Sequence, residues 1–309
     1  MNTRAFSFLV NPASGGGAAP DAVVPVARLL REAGAVVDVT YSPGPRAMGD
    51  LVAAAIARGD VVVSVGGDGM LSSVAGPVSA GGGTLGVLPA GRGNDFARML
   101  GLPEDPAGQA RLLLEGDVRP VDLLAVTGLD DPGSPGGQER LVAGSVYAGV
   151  DARASELVDG AHWLPKRLQY PYAAVRSLAT YQPGRYRVSV DGEEREYSAA
   201  SVVVANSAYY GKGMKIAPAA VIDDGVLDVI VIEAASKVEL MRSLPTVYEG
   251  EHVHRPEVTV LTGKRVEIRG RSRVPIPVGG DGEPLGALPG LTDEPAVIEV
   301  RPGALAVIR

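Results

Sequence analysis

The stretch VVVSVGGDGMLSSVAG, residues 61–76, carries the strongest indication of a fold in this chain. Its β-branched run predicts a buried parallel strand, two glycines end that strand, and the apolar residues that follow recur at helical spacing. Gly66, Gly67 and Gly69 permit close approach of the backbone, so amide N–H groups and a helix N-terminus can face an anion. Asp68 suits such a site only beside a cation, and Mg²⁺ carried by a nucleotide is the expected one. The stretch therefore predicts a phosphate-binding turn between a strand and a helix.

Similar strand-and-turn stretches occur elsewhere in the chain, in a fixed order. They are FSFLVNPASGGG at residues 6–17, TLGVLPAGRGNDFARMLGLP at 84–103, VVVANSAYYGKGMKIAPAAVIDDGVLDVIVI at 202–232 and VGGDGEPLG at 278–286. Together they resemble the bacterial diacylglycerol kinase family, which also contains the eukaryotic diacylglycerol, ceramide and sphingosine kinases. The resemblance covers essentially the whole chain, because the motifs match in order and in spacing.

Composition excludes several classes of protein. The chain of 309 residues has no cysteine, which rules out disulfides and thiolate sites, and its three histidines do not make a convincing metal centre. A net charge of −7 disfavours a general nucleic-acid binder. No apolar run approaches the roughly 18 residues of a transmembrane helix, and the opening AFSFLV is too short for a signal peptide. We therefore expect no transmembrane segment and a cytoplasmic protein that can bind peripherally to a membrane; a homodimer is left open.

The pattern of elements changes near residue 121. Before it, strands expected at 6–11, 36–41, 61–65 and 84–89 alternate with helices at 21–33, 47–57, after the GGDG turn, from Asn94, and at 107–114, which indicates a parallel sheet. After it, β-rich runs are expected at 121–126, 141–150, 185–190, 200–205, 227–232, 258–261, 265–269 and 296–300, which indicates an antiparallel sandwich. A helical interruption is expected near 156–181, and DDPGSPGG at 130–137 is a solvated hairpin loop or a disordered tip.

These patterns predict two domains. The expected fold is an α/β nucleotide-binding domain with a parallel sheet at 1–120, followed by a β-rich antiparallel sandwich at 121–309 that binds lipid. The extreme C-terminus can return to the first domain. The family resemblance implies the same plan, with the active site in the cleft between the domains.

The resemblance also implies which residues hold the phosphates and ribose of ATP. They are Asn11, Pro12, Ala13, Ser14 and Gly15, then Thr40, and then Gly66, Gly67, Asp68, Gly69, Met70, Leu71 and Ser72. Two residues depart from the family pattern, since Met70 and Arg92 stand where threonines are usual. Arg92 adds a cation that can contact phosphate or the acceptor, and Lys212 stands where the family tends to have glycine.

Five carboxylates are candidates for the chemistry. The resemblance implies that Asp68, Asp95 and Asp122 form the Mg²⁺ network, and Asp95 with its neighbour Asn94 is also placed to cap a helix. Asp281 and Glu283 are spaced by one residue, so in an extended segment they would share a face. One can accept the hydroxyl proton while the other orients it or contacts metal. The resemblance favours Glu283 as the base, with Asp281 as the alternative. The non-catalytic alternative is a hairpin turn whose two acidic side chains are solvated.

The turn at residues 221–226 resembles the structural Mg²⁺ site of the family. There Asp224 would bind through its side chain, and Val221 and Val226 through backbone carbonyls, as suits a cation that prefers oxygen ligands. The alternative is an ordinary Asp-Gly turn between strands.

The segment HWLPKRLQYPYAAVRSLATY, residues 162–181, is the candidate for contact with the lipid surface. Aromatic and apolar side chains alternate there with cations, which are Trp163, Leu164, Tyr170 and Tyr172 beside Lys166, Arg167 and Arg176. The alternative is a core-packing helix with solvated basic residues.

The sequence thus predicts a phosphotransferase, an ATP- and Mg²⁺-dependent lipid kinase that phosphorylates the hydroxyl of diacylglycerol or a related lipid presented at a membrane surface. Two alternatives remain open at this point. One is an enzyme similar to NAD kinases, which shares the GGDG pattern. The other is a nucleotide-binding regulatory protein with weak catalysis, an alternative that Met70 and Arg92 keep open.

Overall fold

The computed structural model describes residues 4–44, 47–91, 93–130, 139–159, 164, 172, 176–177 and 181–309. The chain divides into two compact units. Unit 1 consists of Met1–Leu123, Gly211–Gly213 and Pro302–Arg309, and unit 2 consists of Leu124–Tyr210 and Met214–Arg301. The chain first passes from unit 1 to unit 2 after Leu123, which is three residues beyond the expected boundary at 120. The last eight residues belong to unit 1.

Unit 1 is built on a parallel sheet. Its strands are β1 (Ala5–Val10), β2 (Val36–Tyr41), β3 (Val61–Gly66) and β4 (Thr84–Pro89), in the spatial order β2-β1-β3-β4. All six residues of β3 are buried, as expected for an inner parallel strand that is covered on both faces. Because the carboxyl ends of parallel strands lie at one edge of a sheet, the loops after β1, β3 and β4 are brought to the same edge.

Helices connect these strands. They are α1 (Ala19–Glu32), α2 (Met48–Ala57), α3 (Asp68–Ala80), α4 (Asp95–Met99) and α5 (Pro106–Glu115). The inner face of α1 buries Val23, Val26 and Leu30 at helical spacing, and these side chains form one apolar cluster with Phe6 and Phe8 of β1. The alternation of strands and helices predicted for the first third of the chain is confirmed, because hydrophobic periodicity and glycine breaks are strong there.

Two long strands run from one unit into the other. Strand β5 (Val118–Thr127) begins in unit 1 and ends in unit 2. Strand β15 (Ala296–Ile308) begins in unit 2 and ends in unit 1. In unit 1, β15 pairs in parallel with β4, and Ala306 lies opposite Thr84. The last residues of the chain therefore extend the parallel sheet.

Unit 2 is rich in antiparallel strands. Those strands are β6 (Arg140–Val142), β7 (Ser145–Gly149), β8 (Gly184–Val190), β9 (Glu193–Ala205), β10 (Leu227–Glu233), β11 (Val258–Gly263), β12 (Arg265–Arg271), β13 (Pro277–Gly280) and β14 (Glu283–Ala287). They are paired in the order β14-β13-β7-β9-β8-β12, and β10 joins β9 to β11. A core of aliphatic side chains lies under them, including Val202, Val204, Val229 and Ile268. The predicted β-rich second domain is confirmed.

Some predicted elements of unit 2 differ from the structure. The run expected at 141–150 is divided into β6 and β7, and its last residue begins helix α6 (Val150–Asp159) rather than ending a strand. Helix α7 (Lys237–Glu249) was not predicted, although Ser236 and Glu239 form a capping box at its start. Its apolar face is weak, because only Leu240 and Val247 are buried, so periodicity alone did not indicate it.

Parts of two predicted elements lie outside the described residues. They are most of the DDPGSPGG loop, residues 131–138, and most of the helix expected after residue 159. Within the described part of the chain, no helix is long and apolar enough to cross a membrane.

Candidate active site

Three glycine-rich loops meet at the carboxyl edge of the sheet in unit 1. A Cβ atom added to Gly91 would lie 2.3 Å from the Cα of Gly67, and one added to Gly15 would lie 2.5 Å from the carbonyl oxygen of Ala90. Neither position can hold a side chain, because the obstructing atoms belong to the backbone. The loops after β1, β3 and β4 are thus in backbone contact, as a compact anion cradle requires.

Polar groups fix the first of these loops to the GGDG turn. The N–H of Asn11 donates to the carbonyl of Val65 (3.1 Å), and the Oδ1 of Asn11 accepts the N–H of Ala13 (3.0 Å). The Oγ of Ser14 accepts the N–H of Gly67 (3.4 Å). The predicted nucleotide residues 11–15 and 66–69 are therefore brought together.

Helix α3 starts at Asp68, directly after the second glycine of the turn. The first intrahelical hydrogen bond found here joins the N–H of Leu71 to the carbonyl of Gly67 (3.1 Å), so the N–H groups of Gly69 and Met70 precede it. Such groups at a helix N-terminus can bind an anion, and the helix dipole favours negative charge there.

The remaining predicted nucleotide residues differ in how far they are exposed. The side chains of Met70 and Leu71 are buried, with 5% and 3% of their surface exposed. Only the backbone of position 70 can contribute to phosphate binding, so the missing threonine hydroxyl is replaced by an apolar group in the core. Ser72 is half-buried, and Thr40 lies on β2 opposite Leu9. Arg92 lies outside the described residues.

Two carboxylates flank the third loop. A Cβ atom built on Gly93 would lie 2.9 Å from the Oδ2 of Asp68 and 3.3 Å from the Oδ2 of Asp95. The Oδ1 of Asp68 accepts the N–H of Phe96 (3.2 Å). Asn94 occupies the N-cap position of α4, but its side chain bonds the N–H of Gly91 (2.9 Å) instead of capping the helix. The structure therefore brings Asp68 and Asp95 together, and both present oxygen atoms that suit Mg²⁺.

Asp95 also holds a segment that is remote in sequence. Its Oδ2 accepts the N–H of Lys212 (2.8 Å), and its Oδ1 accepts the N–H of Gly213 (2.6 Å). Burial raises the pKa of Asp95, and these two hydrogen bonds, with the charges of Arg98 and Lys212, oppose that rise. Asp95 thus fixes residues 211–213 to unit 1.

Asp122 occupies the opposite edge of the sheet. Its side chain is buried, and its Oδ1 accepts the N–H of Gly303 (2.7 Å). Since β15 runs parallel to β4 with Ala306 opposite Thr84, Gly303 lies before the start of β4, whereas the GGDG turn follows the strand ends. The structure does not bring Asp122 to Asp68. Its place in a Mg²⁺ network stays a prediction from the family resemblance, and this position counts against it.

The candidate base lies on a hairpin of unit 2. Asp281 and Gly282 have φ of 47° and 89° and form the turn between β13 and β14, so Asp281 and Glu283 are not in one extended segment. The prediction that they share a face therefore does not hold. The carboxylate of Asp281 accepts the N–H groups of Ala143 (2.8 Å), Gly144 (2.9 Å) and Ser145 (3.0 Å). Glu283 is exposed at the start of β14, which leaves it the better candidate to accept a proton.

The turn at residues 221–226, predicted as a second metal site, carries the side-chain oxygen atoms of Asp224 and the backbone carbonyls of Val221 and Val226. Asp224 is exposed and accepts the N–H of Val226 (3.0 Å), as in an Asx turn, and Val221 is also exposed. Burial and the charge of Asp224 raise the pKa of nearby Asp228 to about 6. Within the described part of the chain, no group of three or more His, Cys, Asp or Glu side chains could hold a metal. A site here would depend on backbone carbonyls, as predicted, and stays a prediction.

The predicted lipid-contact segment is described only in part. Trp163, Lys166, Arg167 and Tyr170 lie outside the described residues. Arg176 donates to the hydroxyl of Tyr172 (2.5 Å) and lies 5.7 Å from the centre of its ring.

Sequence reasoning missed two cations near this site. Lys212 was noted as a departure from the family pattern but was not assigned to the nucleotide, and Arg98 was not singled out. The guanidinium of Arg98 lies about 3.5 Å from a Cβ built on Gly213. The sequence did contain an indication of Lys212, which stands between two glycines in YYGKGM. Such a position indicates a tight turn, in which a long side chain is unusual.

Comparisons with known proteins place this geometry in a family. Residues 5–126 match the diacylglycerol kinase catalytic domain, and residues 144–309 match the YegS C-terminal NAD kinase beta sandwich-like domain. A diacylglycerol kinase of Mycobacterium tuberculosis is 32% identical over 97% of this chain and 94% of its own length. A diacylglycerol kinase of Bacillus subtilis is 28% identical over 77% of this chain and 75% of its own length.

The fold agrees with a solved structure. A diacylglycerol kinase from Bacillus anthracis str. Sterne superposes with a TM-score of 0.69 at 18% identity, over 100% of this chain and 97% of that one. With both halves of the chain matched to family models and a relative at 32% identity along nearly all of it, the chain belongs to the diacylglycerol kinase family of lipid kinases.

Proposed function

We propose that this protein is an ATP- and Mg²⁺-dependent lipid kinase that transfers the terminal phosphoryl group of ATP to the hydroxyl of diacylglycerol or a related lipid. The observation that carries the proposal is the meeting of three glycine loops with the carboxylates of Asp68 and Asp95 at one edge of the unit 1 sheet. A site of this kind supplies the positioning and the charge stabilisation that phosphoryl transfer demands.

The nucleotide is held mainly by backbone groups. The phosphates lie against the start of α3, where the N–H groups of Gly69 and Met70 face them, and the bare backbones of Gly67 and Gly91 allow close approach. Ser14 keeps the first loop on this turn through its bond to Gly67. Binding therefore depends more on the shape of the loops than on charged side chains.

Asp68 and Asp95 fit a magnesium ion by their chemistry, since both are carboxylates on one side of Gly93. When bound with the nucleotide, Mg²⁺ would neutralise the charge that develops on the transferring phosphoryl group. Asp68 is the stronger candidate ligand, because it is the first residue of α3, where the nucleotide phosphates would lie.

Glu283 is the proposed base. As the lipid oxygen forms its bond to phosphorus and the bond to the bridging oxygen of ADP breaks, the Glu283 carboxylate accepts the hydroxyl proton. Asp281 holds the turn that carries Glu283 through its three backbone hydrogen bonds.

The test is a transfer assay with labelled ATP and a panel of acceptors, namely diacylglycerol, ceramide, sphingosine, a polyprenol and NAD. We expect Mg²⁺-dependent label in at least one lipid presented in mixed vesicles, and none in NAD. Glu283→Gln should lower lipid phosphorylation by about 10²–10⁴-fold while ATP still binds. Glu294→Gln, which changes an exposed glutamate of the same unit, is the matched control and should transfer normally.

Three results would contradict the proposal. Label in NAD alone would favour an enzyme similar to NAD kinases. Binding of ATP without transfer to any acceptor would favour a regulatory protein. Normal turnover of Glu283→Gln would remove Glu283 as the base.

A further inference from the structure

We propose that Lys212 is a nucleotide-binding residue whose ammonium group contacts the terminal phosphates of Mg-ATP beside Asp68. This inference rests on the kinase function proposed above. It names a contact that a glycine at this position could not make.

The backbone of Lys212 has a conformation that favours glycine. Its φ is 74°, between 55° at Gly211 and 88° at Gly213, so three successive residues are left-handed. This curvature points the N–H groups of Lys212 and Gly213 at the two oxygens of Asp95 (2.8 and 2.6 Å). A glycine would adopt it without the steric cost that an L-residue bears, so the loop geometry alone gives no reason for a lysine.

The side chain of Lys212 runs beside the proposed phosphate site. Its Cγ lies 3.6 Å from a Cβ built on Gly93, and that same point lies 2.9 Å from the Oδ2 of Asp68. The sum of these distances, about 6.5 Å, is the largest possible separation of the Lys212 Cγ and the Asp68 oxygen. The remaining Cδ, Cε and Nζ atoms can span much of that distance, so the ammonium can reach any anion that binds beside Asp68.

Lys212 also lies beside the second carboxylate of the site, because its backbone N–H donates to the Oδ2 of Asp95 (2.8 Å). This bond and the one from Gly213 fix the backbone of Lys212, so the point from which its side chain extends is set before any ligand arrives. The loop therefore need not be ordered when the phosphate binds.

Three substitutions separate the charge from the backbone. Lys212→Met removes the charge and keeps the length and the backbone strain, Lys212→Gly removes both charge and strain, and Lys212→Arg keeps the charge. Lys264→Met is the matched control. The backbone N–H of Lys264 also donates to an aspartate carboxylate, that of Asp191 (3.0 Å), but Lys264 belongs to unit 2.

The test measures three quantities for each variant: the affinity for Mg-ATP by calorimetry, KM and kcat for ATP, and Tm. Lys212→Met and Lys212→Gly should each weaken Mg-ATP binding and raise KM for ATP by about tenfold, as expected for one charge-assisted contact. The Tm of Lys212→Gly should equal or exceed that of the wild type. Lys212→Arg should stay within about threefold of wild-type affinity, and Lys264→Met should match the wild type.

Each contrary result has a distinct meaning. Unchanged Mg-ATP affinity in Lys212→Met overturns the inference and leaves the proposed function intact. Unchanged ATP affinity with a lower Mg²⁺ requirement also overturns it, because the ammonium would then only neutralise Asp68. The inference is also overturned, in favour of a structural role, if Lys212→Met binds Mg-ATP more weakly, has a lower Tm, and shares both defects with Lys212→Arg. If the wild type binds no Mg-ATP, both the inference and the proposed function fail.

Discussion

The tetrapeptide Gly-Gly-Asp-Gly occurs twice in this chain, at residues 66–69 and at 279–282, with different structures. The first copy ends a parallel strand and starts helix α3 at its aspartate. The second copy ends β13 and makes a tight turn into β14. The same four residues therefore give a candidate phosphate site in one place and a hairpin in the other.

The neighbouring residues decide between these outcomes. After the first copy, MLSSVAG continues with apolar residues at helical spacing, and Gly67 has an extended conformation at the N-cap. After the second copy, EPLG places Pro284 in an extended segment, and Asp281 and Gly282 both have positive φ. Two left-handed residues make the turn whose twist matches antiparallel strands. The tetrapeptide permits both conformations, and the pattern that follows it selects one.

The two aspartates also differ in what they bond. Asp68 accepts the N–H of Phe96, and its other oxygen faces the point above Gly93 that it shares with Asp95. The carboxylate of Asp281 accepts three backbone N–H groups. We infer that the first carboxylate serves chemistry and that the second serves structure.

The largest expected effect is on catalysis by the first copy. Asp68→Asn keeps an oxygen that can accept the N–H of Phe96 but removes the charge that would hold Mg²⁺. We expect a loss of kcat of at least about a hundredfold with little change in Tm. Lipid transfer by the purified variant, measured beside thermal unfolding, checks this. Wild-type turnover would remove the GGDG turn from the mechanism.

The second prediction compares the glycines around the two copies. Gly91→Ala would place a Cβ 2.3 Å from the Cα of Gly67, a contact that only a backbone shift can relieve. We therefore expect this variant to lose about 3 kcal/mol of stability and also to lose ATP binding. Gly280→Ala would instead meet the Cδ1 of Leu285 at 2.8 Å, and a side chain can move, so about 1 kcal/mol is expected. A Cβ atom on Gly49, in helix α2, would meet no atom of the described residues within 4 Å, so Gly49→Ala should be neutral or slightly stabilising.

Urea unfolding and nucleotide titration measure these three variants. An equal loss of stability in Gly91→Ala and Gly280→Ala would show that close backbone contact does not distinguish the two copies.

The third prediction concerns the aspartate of the second copy. Asp281→Asn would set an amide NH₂ against backbone N–H donors, so we expect a loss of about 2 kcal/mol of stability. We also expect a lower kcat, because Glu283 would lose its support. Asp191 is the matched control, since it has φ of 49° in a similar Asp-Gly turn and accepts the N–H groups of Lys264 and Arg265. Asp191→Asn should lose stability with kcat unchanged.

The sequence predicted the first copy and its surroundings well. Buried β-branched runs, helical periodicity and glycine breaks are local signals, so β3, α3 and the strands beside them followed from the residues themselves. The convergence of residues 11–15, 66–69 and 93–95 was implied only by the family resemblance, and its physical reason is that parallel strands bring their carboxyl ends to one edge of the sheet.

The rest depended on contacts that are distant in sequence. No local pattern shows that Asp95 bonds the backbone at 212 and 213, or that Asp281 bonds the backbone at 143–145. The position of Asp122 depends on the pairing of β15 with β4, which joins the two ends of the chain. Carboxylates that bond the backbone and carboxylates that bind metal look alike in a sequence, so their roles could not be separated there.

The smallest expected effect concerns the support of the second copy by a tyrosine. The hydroxyl of Tyr147 accepts the N–H of Gly282 (3.1 Å), and a Cβ on Gly279 would lie 2.5 Å from the Tyr147 ring, so the first glycine of this copy admits that ring. Tyr147→Phe keeps the edge contact with Tyr210 and removes only the hydroxyl, so we expect a loss of about 1 kcal/mol of stability and a few-fold lower kcat. Tyr197→Phe is the control, because the buried Tyr197 hydroxyl has no hydrogen-bond partner among the described residues and its removal should cost nothing. If both variants unfold at the same urea concentration as the wild type, the Tyr147 hydroxyl does not hold the turn, and Asp281 alone must position Glu283.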